Sequence, residues 1–266
     1  MAVTTKTNNN VTFLTSSLIP VPHGFTTRVG GVSTGVLSSL NLGFHRGDEE
    51  ANIRENYRRL GAAIGFSPEN CVLTRQTHSD LVRVVTGRDC AGLDHRDYPE
   101  SDALVTNDPG TALVIFTADC TPLLFHDPVT GAVGAAHAGW RGTASQIGRR
   151  CVEAMVREFG CEPRNIRAAI GPNIGMCHFE TDWDVPRAML DSYGEEAWQY
   201  MEKRGEKYVL DLKRLNALSL RRAGVERIDI SDACTMCRHD LFWSHRYTGG
   251  ERGSQGAIIL CEERKV

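Results

Sequence analysis

The stretch "TPLLFHDPVTGAVGAAHA", residues 121–138, constrains the fold more than any other. Two apolar runs, each too short for a helix of ordinary length, are separated only by a turn signal. Asp127 accepts bonds from the amides that follow it, Pro128 presets φ, and Gly131 tolerates a left-handed backbone. Strands joined so closely must pair antiparallel, which argues against a doubly wound parallel sheet. Folding about Pro128–Val129 sets Cys120 opposite His137, and a bulge at Gly131 displaces them by a residue or two. A thiol and an imidazole then meet at the open end of the hairpin. They are either a nucleophile with its base or two ligands of a metal.

Elsewhere the apolar spacing predicts four helices. Ile53, Tyr57, Leu60 and Ile64 form one stripe, opened by Asp48 as N-cap and closed near Gly65. Ile147, Cys151, Met155 and Phe159 form a second, in a helix starting near Thr143 and stopped by Gly160. "DVPRAMLDSYG" carries Pro186 in its first turn, and "DLKRLNALSLRRAG" is capped by Asp211 and ends before Gly224. Strand candidates include Leu81–Val85, Ala112–Phe116, Pro122–His126, Ala132–His137, Ile166–Ile170, Ile228–Ile230 and Ala257–Leu260. Helices and strands do not alternate one for one, so the expected class is α+β with mixed or antiparallel sheets. No repeat and no low-complexity linker divides the chain. We therefore expect a frayed, variable segment over residues 1–20 and one domain over 21–266.

Composition narrows the function. A formal charge of −3 makes no basic field, which excludes nucleic acid as the default partner. No apolar run is long enough to span a membrane, and the N-terminus lacks the continuous apolar core of a signal peptide. Nine cysteines without such a signal fit reduced thiols in a cytoplasmic enzyme. His78, in "TRQTHSDLVRVV", sits among polar residues just before a strand and is a third ligand candidate. One Cys and two His leave a fourth position open on zinc, the pattern of a catalytic site. Asp119 precedes the cysteine, and Arg141 stands beside the helix N-terminus after "HAGWRGT", a seat for an anion. "HGFTTRVGGVSTGVLSSLNLG" has neither a P-loop nor a dinucleotide fingerprint and reads as a surface loop or a substrate lid. "CTMC", Cys234 to Cys237, is a lone pair that supports a buried or site-lining role over a structural zinc site.

Taken together, the stretches resemble one family. "HGFTTRVGGVS", "SLNLG", "RQTHSD", "TADCTPLLFHDP", "GAVGAAHAGWRGT", "GPNIGMCHFE" and "LFWSHR" match the YfiH-like, or laccase-domain, family, also described as polyphenol oxidoreductase, purine nucleoside phosphorylase and peptidoglycan editing factor. The match runs in order from about His23 to the C-terminus. It implies a sandwich of sheets flanked by helices and a metal site of His78, Cys120 and His137. The chain departs from the family where Tyr247 and Thr248 follow "SHR", and where it reads "RGSQ" in place of "TGRQ".

The laccase name is tested by counting. A conventional multicopper centre needs about ten histidines, mostly in H-x-H pairs. This chain has nine histidines and no such pair. The resemblance points instead to a zinc enzyme acting on purine nucleosides, by phosphorolysis of adenosine and inosine and deamination of adenosine. Copper is the alternative occupant of the same ligands, with laccase-like polyphenol oxidation as its consequence. The expected catalytic group is His78, Cys120 and His137, with Asp119 as acid/base or orienting residue. Arg28, Arg141 and Arg246 are the expected phosphate donors. Asn41, Gln76 and His245, within the matching stretches, complete the substrate-facing set. The alternative is a cysteine amidase acting on an amino-sugar peptide precursor of peptidoglycan, with Cys120 as nucleophile and His137 as its base.

Overall fold

Residues 112–117, 121–126 and 133–138 are buried at nearly every position, so each strand needs a partner layer on both faces. The computed structural model, which describes residues 3–90, 92–93 and 98–263, supplies both layers. Its strands are β1 (Val3–Asn8), β2 (Val11–Ser16), β3 (His23–Thr26), β4 (Cys71–Val72), β5 (Val82–Val84), β6 (Ala103–Thr106), β7 (Ala112–Thr117), β8 (Thr121–His126), β9 (Val133–Ala138), β10 (Arg167–Ile170), β11 (Glu180–Thr181), β12 (Met201–Arg204), β13 (Lys207–Leu210), β14 (Arg227–Ile230) and β15 (Gln255–Leu260). Its helices are α1 (Glu50–Ile64), α2 (Trp140–Ala144), α3 (Ile147–Phe159), α4 (Asp184–Tyr193), α5 (Leu212–Arg222) and α6 (His245–Thr248).

Two six-stranded sheets, ordered β1-β2-β3-β15-β7-β4 and β14-β10-β8-β9-β6-β5, stack face to face. Side-chain alternation sorts their residues. Leu113, Ile115 and Ile259 of the first sheet meet Leu124, Val133 and Ala135 of the second between the layers. The opposite face of the first sheet, with Val114 and Ile258, packs on Ile53, Tyr57 and Leu60 of α1. Leu123, Phe125 and Ala136 of the second sheet pack on Ile147, Cys151 and Met155 of α3. The result is the expected α+β class, with mixed sheets in a sandwich flanked by helices. A third sheet, β11-β13-β12, shares a small core with α4. Among the described residues no helix is long and apolar enough to cross a membrane.

Four local expectations are corrected. Residues 3–16, expected to fray, form the β1–β2 hairpin. Asn9 and Asn10 both take positive φ at its turn, the geometry a two-residue hairpin requires. The second predicted helix is broken. Gln146 adopts φ 57°, held by bonds to Ser192 and Ser219, so α2 ends before it and the apolar stripe begins afresh on α3. Asp48 does not cap α1; its carboxylate binds Ser33, Asn41 and Asn52. The stretch 23–43 is no open lid, because β3 pairs with β15 and Leu40, Asn41 and Leu42 are fully buried.

The central hairpin turns one residue later than the pivot read from the sequence. Asp127 pairs with Ala132, and its carboxylate accepts from Val129 N at 2.8 Å. Pro122, not Cys120, therefore stands opposite His137. A shift of two residues keeps the same face, so Cys120 becomes a diagonal neighbour of His137.

Candidate metal centre and cavity

Cys120 immediately precedes β8, and His137 lies near the end of β9. Both have the strand parity of Leu124 and Ala135, so they open toward the gap between the sheets. His78 arrives from the loop before β5. The ligand atoms of His78, Cys120 and His137 all lie within 4.8 Å of one another. His78 Nε2 is 3.8 Å from Cys120 Sγ, and the two imidazole rings meet edge-on with centroids 4.9 Å apart.

Asp102, which the sequence reading missed, organises the three. Its fully buried carboxylate receives Thr77 N, His78 N and Ser79 N at 3.1, 3.2 and 2.7 Å. The same carboxylate binds His137 Nδ1 at 2.7 Å. One side chain thus holds the His78 loop, with His78 itself at φ 60°, and orients the His137 ring. With Nδ1 engaged, Nε2 of His137 is the nitrogen left for Cys120 or a metal. Burial opposes ionisation of Asp102, yet the bonds from His137 and Ser79 outweigh it and bring the pKa down to about 2. Burial likewise raises the Cys120 thiol, but the His137 charge and the bonds to both histidines drive it below its ordinary value. His137 moves up for the reciprocal reason. Without a metal the pair favours thiolate and imidazolium; a cation takes the place of that proton. The donors fit a metal of zinc type: one thiolate, two imidazoles and a carboxylate behind one of them.

Gly139 is required here for room, since its φ of −65° suits any residue. A Cβ on it would lie 2.7 Å from His78 Cδ2 and 3.2 Å from Cys120 Sγ. Gly139→Ala should therefore fold with a nearly unchanged melting temperature and lose metal affinity by at least about tenfold. Metal titration of the apo-protein measures this, and wild-type affinity in the variant would refute it.

The three residues line a cavity of about 410 Å³ between the sheet ends. Its wall is aromatic at Phe44, Tyr98 and Phe116 and cationic at Arg46, Arg75 and Arg252. Arg75 is paired with Glu100 at 2.8 Å. Arg252 is anchored through Nη1 to the Gly253 carbonyl at 2.9 Å, and its buried Nε has no partner among the described residues. Burial, then the charge of Arg46, lowers its pKa to about 10, so it stays cationic at neutral pH. Neither Arg46 nor Arg252 was singled out from sequence; a lone arginine in a loop carries no local signal.

Of the sequence-predicted substrate residues only Gln76 is on this wall; Arg28, Asn41, Arg141, His245 and Arg246 are not among the lining residues. Gln76 lines the cavity, but its amide is latched to the Phe116 backbone at 2.6 and 2.7 Å. Asn41 is buried and bridges Gly43, Asp48 and Ser254. Arg28 binds the Ser38 and His239 carbonyls and lies over Trp243. Arg141, the second residue of the five-residue α2, lies over Trp140. Arg246 binds the His178 and Glu180 carbonyls. Burial, and after it the charge of Arg252, lowers the pKa of His245. The Asp119 carboxylate accepts from Thr235 Oγ1 at 2.6 Å and Arg246 N at 2.7 Å, which holds the residue at φ 89° beside Cys120.

A two-sheet sandwich with a His–Cys–His ligand set at its mouth defines the class, a laccase-domain protein. The chain belongs to the YfiH-like laccase-domain family: the family model described as "Multi-copper polyphenol oxidoreductase laccase" matches residues 22–262. A purine nucleoside phosphorylase of Deinococcus radiodurans is 41% identical over 250 residues, 93% of this chain and 92% of that protein. Purine nucleoside phosphorylase YlmD of Bacillus subtilis is 39% identical, over 90% of this chain and 88% of its own. The crystal structure of YlmD from Geobacillus stearothermophilus superposes with TM-score 0.92 at 34% identity, covering 99% of this chain and all of that one. The YfiH structure from Bacillus licheniformis gives 0.90 at 33% identity, with 96% and 97% covered.

Proposed function

We propose that this protein is a zinc-dependent purine nucleoside phosphorylase that also deaminates adenosine, with small-molecule substrates and a cytoplasmic location. The observation that carries the reading is the convergence of His78, Cys120 and His137 on a cavity that also presents Arg46 and Arg252. Names of relatives at about 40% identity support the nucleoside. When bound, the zinc supplies a Lewis acid that polarises an oxygen of phosphate or water.

The chain's own residues do the rest. Arg252 and Arg46, both on the cavity wall, neutralise phosphate. Phe44 and Phe116 give the purine ring apolar walls. In phosphorolysis a phosphate oxygen bonds to C1′ of the ribose as the bond to N9 breaks, and the purine leaves with the electron pair. Arginines at the phosphate keep the nucleophile oriented and offset its charge through that step.

Zinc-loaded protein should convert inosine to hypoxanthine only when phosphate is present, and adenosine to inosine without it. Arg252→Met should raise the KM for phosphate by at least about tenfold, the loss of one charged hydrogen bond, while metal content and deamination hold. An unchanged phosphate KM would remove Arg252 from the phosphate seat. A second reading keeps one specific observation in its favour. Cys120, His137 and Asp102 are arranged as nucleophile, base and orienting carboxylate, so a cysteine amidase acting on an amino-sugar peptide precursor is the alternative.

A further inference from the structure

A second group of ligand atoms lies outside the cavity. Strands β10 and β14 pair in parallel, so the segments leaving their C-terminal ends run side by side. The pairing continues through Ser231 N to the Ile170 carbonyl and Thr235 N to the Asn173 carbonyl. It delivers Cys177 and His178, from the first segment, against Cys234 and Cys237, from the second. The four ligand atoms lie within 4.8 Å of one another.

Their spacing is that of a tetrahedral site. Cys177 Sγ and Cys237 Sγ are 3.7 Å apart, and His178 Nδ1 is 3.7 Å from Cys234 Sγ and 3.4 Å from Cys237 Sγ. Zinc bonds of about 2.3 Å to sulfur and 2.0–2.1 Å to nitrogen place tetrahedral ligands ~3.8 Å apart for S···S and ~3.6 Å for S···N. A disulfide demands about 2.05 Å. The surroundings are shaped for a thiolate. Gly175 N donates to Cys234 Sγ at 3.1 Å, and a Cβ on Gly175 would press on Cys234 Cβ and Cys177 Sγ at 3.1 and 3.2 Å. Lys213 is buried on the Ala233 carbonyl at 3.0 Å, a positive charge close to a cluster that carries one net negative charge once three thiolates hold zinc.

We propose that Cys177, His178, Cys234 and Cys237 bind a zinc ion as a closed structural site, separate from the His78 centre. All four positions are filled by protein, so this ion has no place for substrate. It clasps two segments that brace the strand after Cys120: Thr235 Oγ1 holds Asp119, and Asn173 Nδ2 holds Thr121 Oγ1 at 2.8 Å. Those contacts flank Cys120 on both sides.

Metal counting on His78→Ala separates this site from the catalytic one. Reduced His78→Ala protein should retain about one zinc per chain, and Cys234→Ser/Cys237→Ser in that background should retain none. Replacing that zinc by cobalt(II) should give the intense charge-transfer absorption and d–d bands of a tetrahedral ion with three thiolates. This spectrum decides the matter even if the triple variant does not fold. A His78→Ala protein that holds no metal in excess zinc overturns the proposal. So does one whose Cys177, Cys234 and Cys237 react with a thiol reagent as fast with zinc as without. A Cys177–Cys237 disulfide in protein purified under reductant overturns it too. None of these readouts involves nucleoside turnover, so they stand whatever the substrate proves to be.

Discussion

Cys120→Ser and His78→Ala should each lower nucleoside turnover by about 10³-fold or more and remove the metal held between the sheets. Serine keeps an oxygen where the sulfur was, but it is a poor ligand for zinc and stays protonated at neutral pH. His78→Ala is the sharper test, because it leaves Cys120, His137 and the buried Asp102 in place. If the metal does the work, both variants lose one equivalent of zinc and fail together, a loss of several kcal/mol of transition-state stabilisation. If Cys120 is a nucleophile with His137 as its base, His78→Ala keeps most of its activity. The expected result is joint loss. An active His78→Ala protein that has lost the zinc of this centre would remove the metal mechanism and leave Cys120 and His137 as nucleophile and base.

What was legible in the chain divides by range. The hairpin was, because Asp127, Pro128 and Gly131 act locally and side-chain parity survives a register error of two residues. Its two ends yielded Cys120 and His137 by folding alone, and His78 by its polar setting. Strands β7 to β9 were found from apolar runs, but such runs do not tell which face meets a sheet and which a helix. Strand β1 was missed because five of its six residues are exposed and polar. The second metal cluster was illegible for a different reason. "CTMC" lacked a second pair nearby, and Cys177–His178 reaches it only through the parallel pairing of β10 with β14. Arg46 and Arg252 meet at the cavity by the same kind of long-range closure.

Asp102 is the strongest case, since nothing in "PESDALV" marks it, and it predicts the second large effect. It gains its role from the pairing of β6 with β9, which sets Ala103 opposite Ala136 and brings His137 N onto the Asp102 carbonyl at 2.7 Å. Every group around its carboxylate is a donor: three backbone amides, the Ser79 hydroxyl at 2.7 Å and His137 Nδ1. Asp102→Asn keeps the shape and removes one acceptor oxygen. If the amide NH2 faces His137, it donates to Nδ1 and forces the ring proton onto Nε2, the nitrogen a metal needs. If it faces the loop, it confronts the amides of Thr77 and Ser79 and unseats His78. Either orientation spoils one of three ligands. We therefore expect Asp102→Asn to weaken zinc binding at this centre by about 10–100-fold, with turnover at saturating metal reduced as well. A chelator-competition titration reads the affinity, and the melting temperature of the metal-free protein separates it from lost stability, about 1–3 kcal/mol for a donor left unpaired. Wild-type zinc affinity in Asp102→Asn would mean that His137 holds its tautomer without the carboxylate.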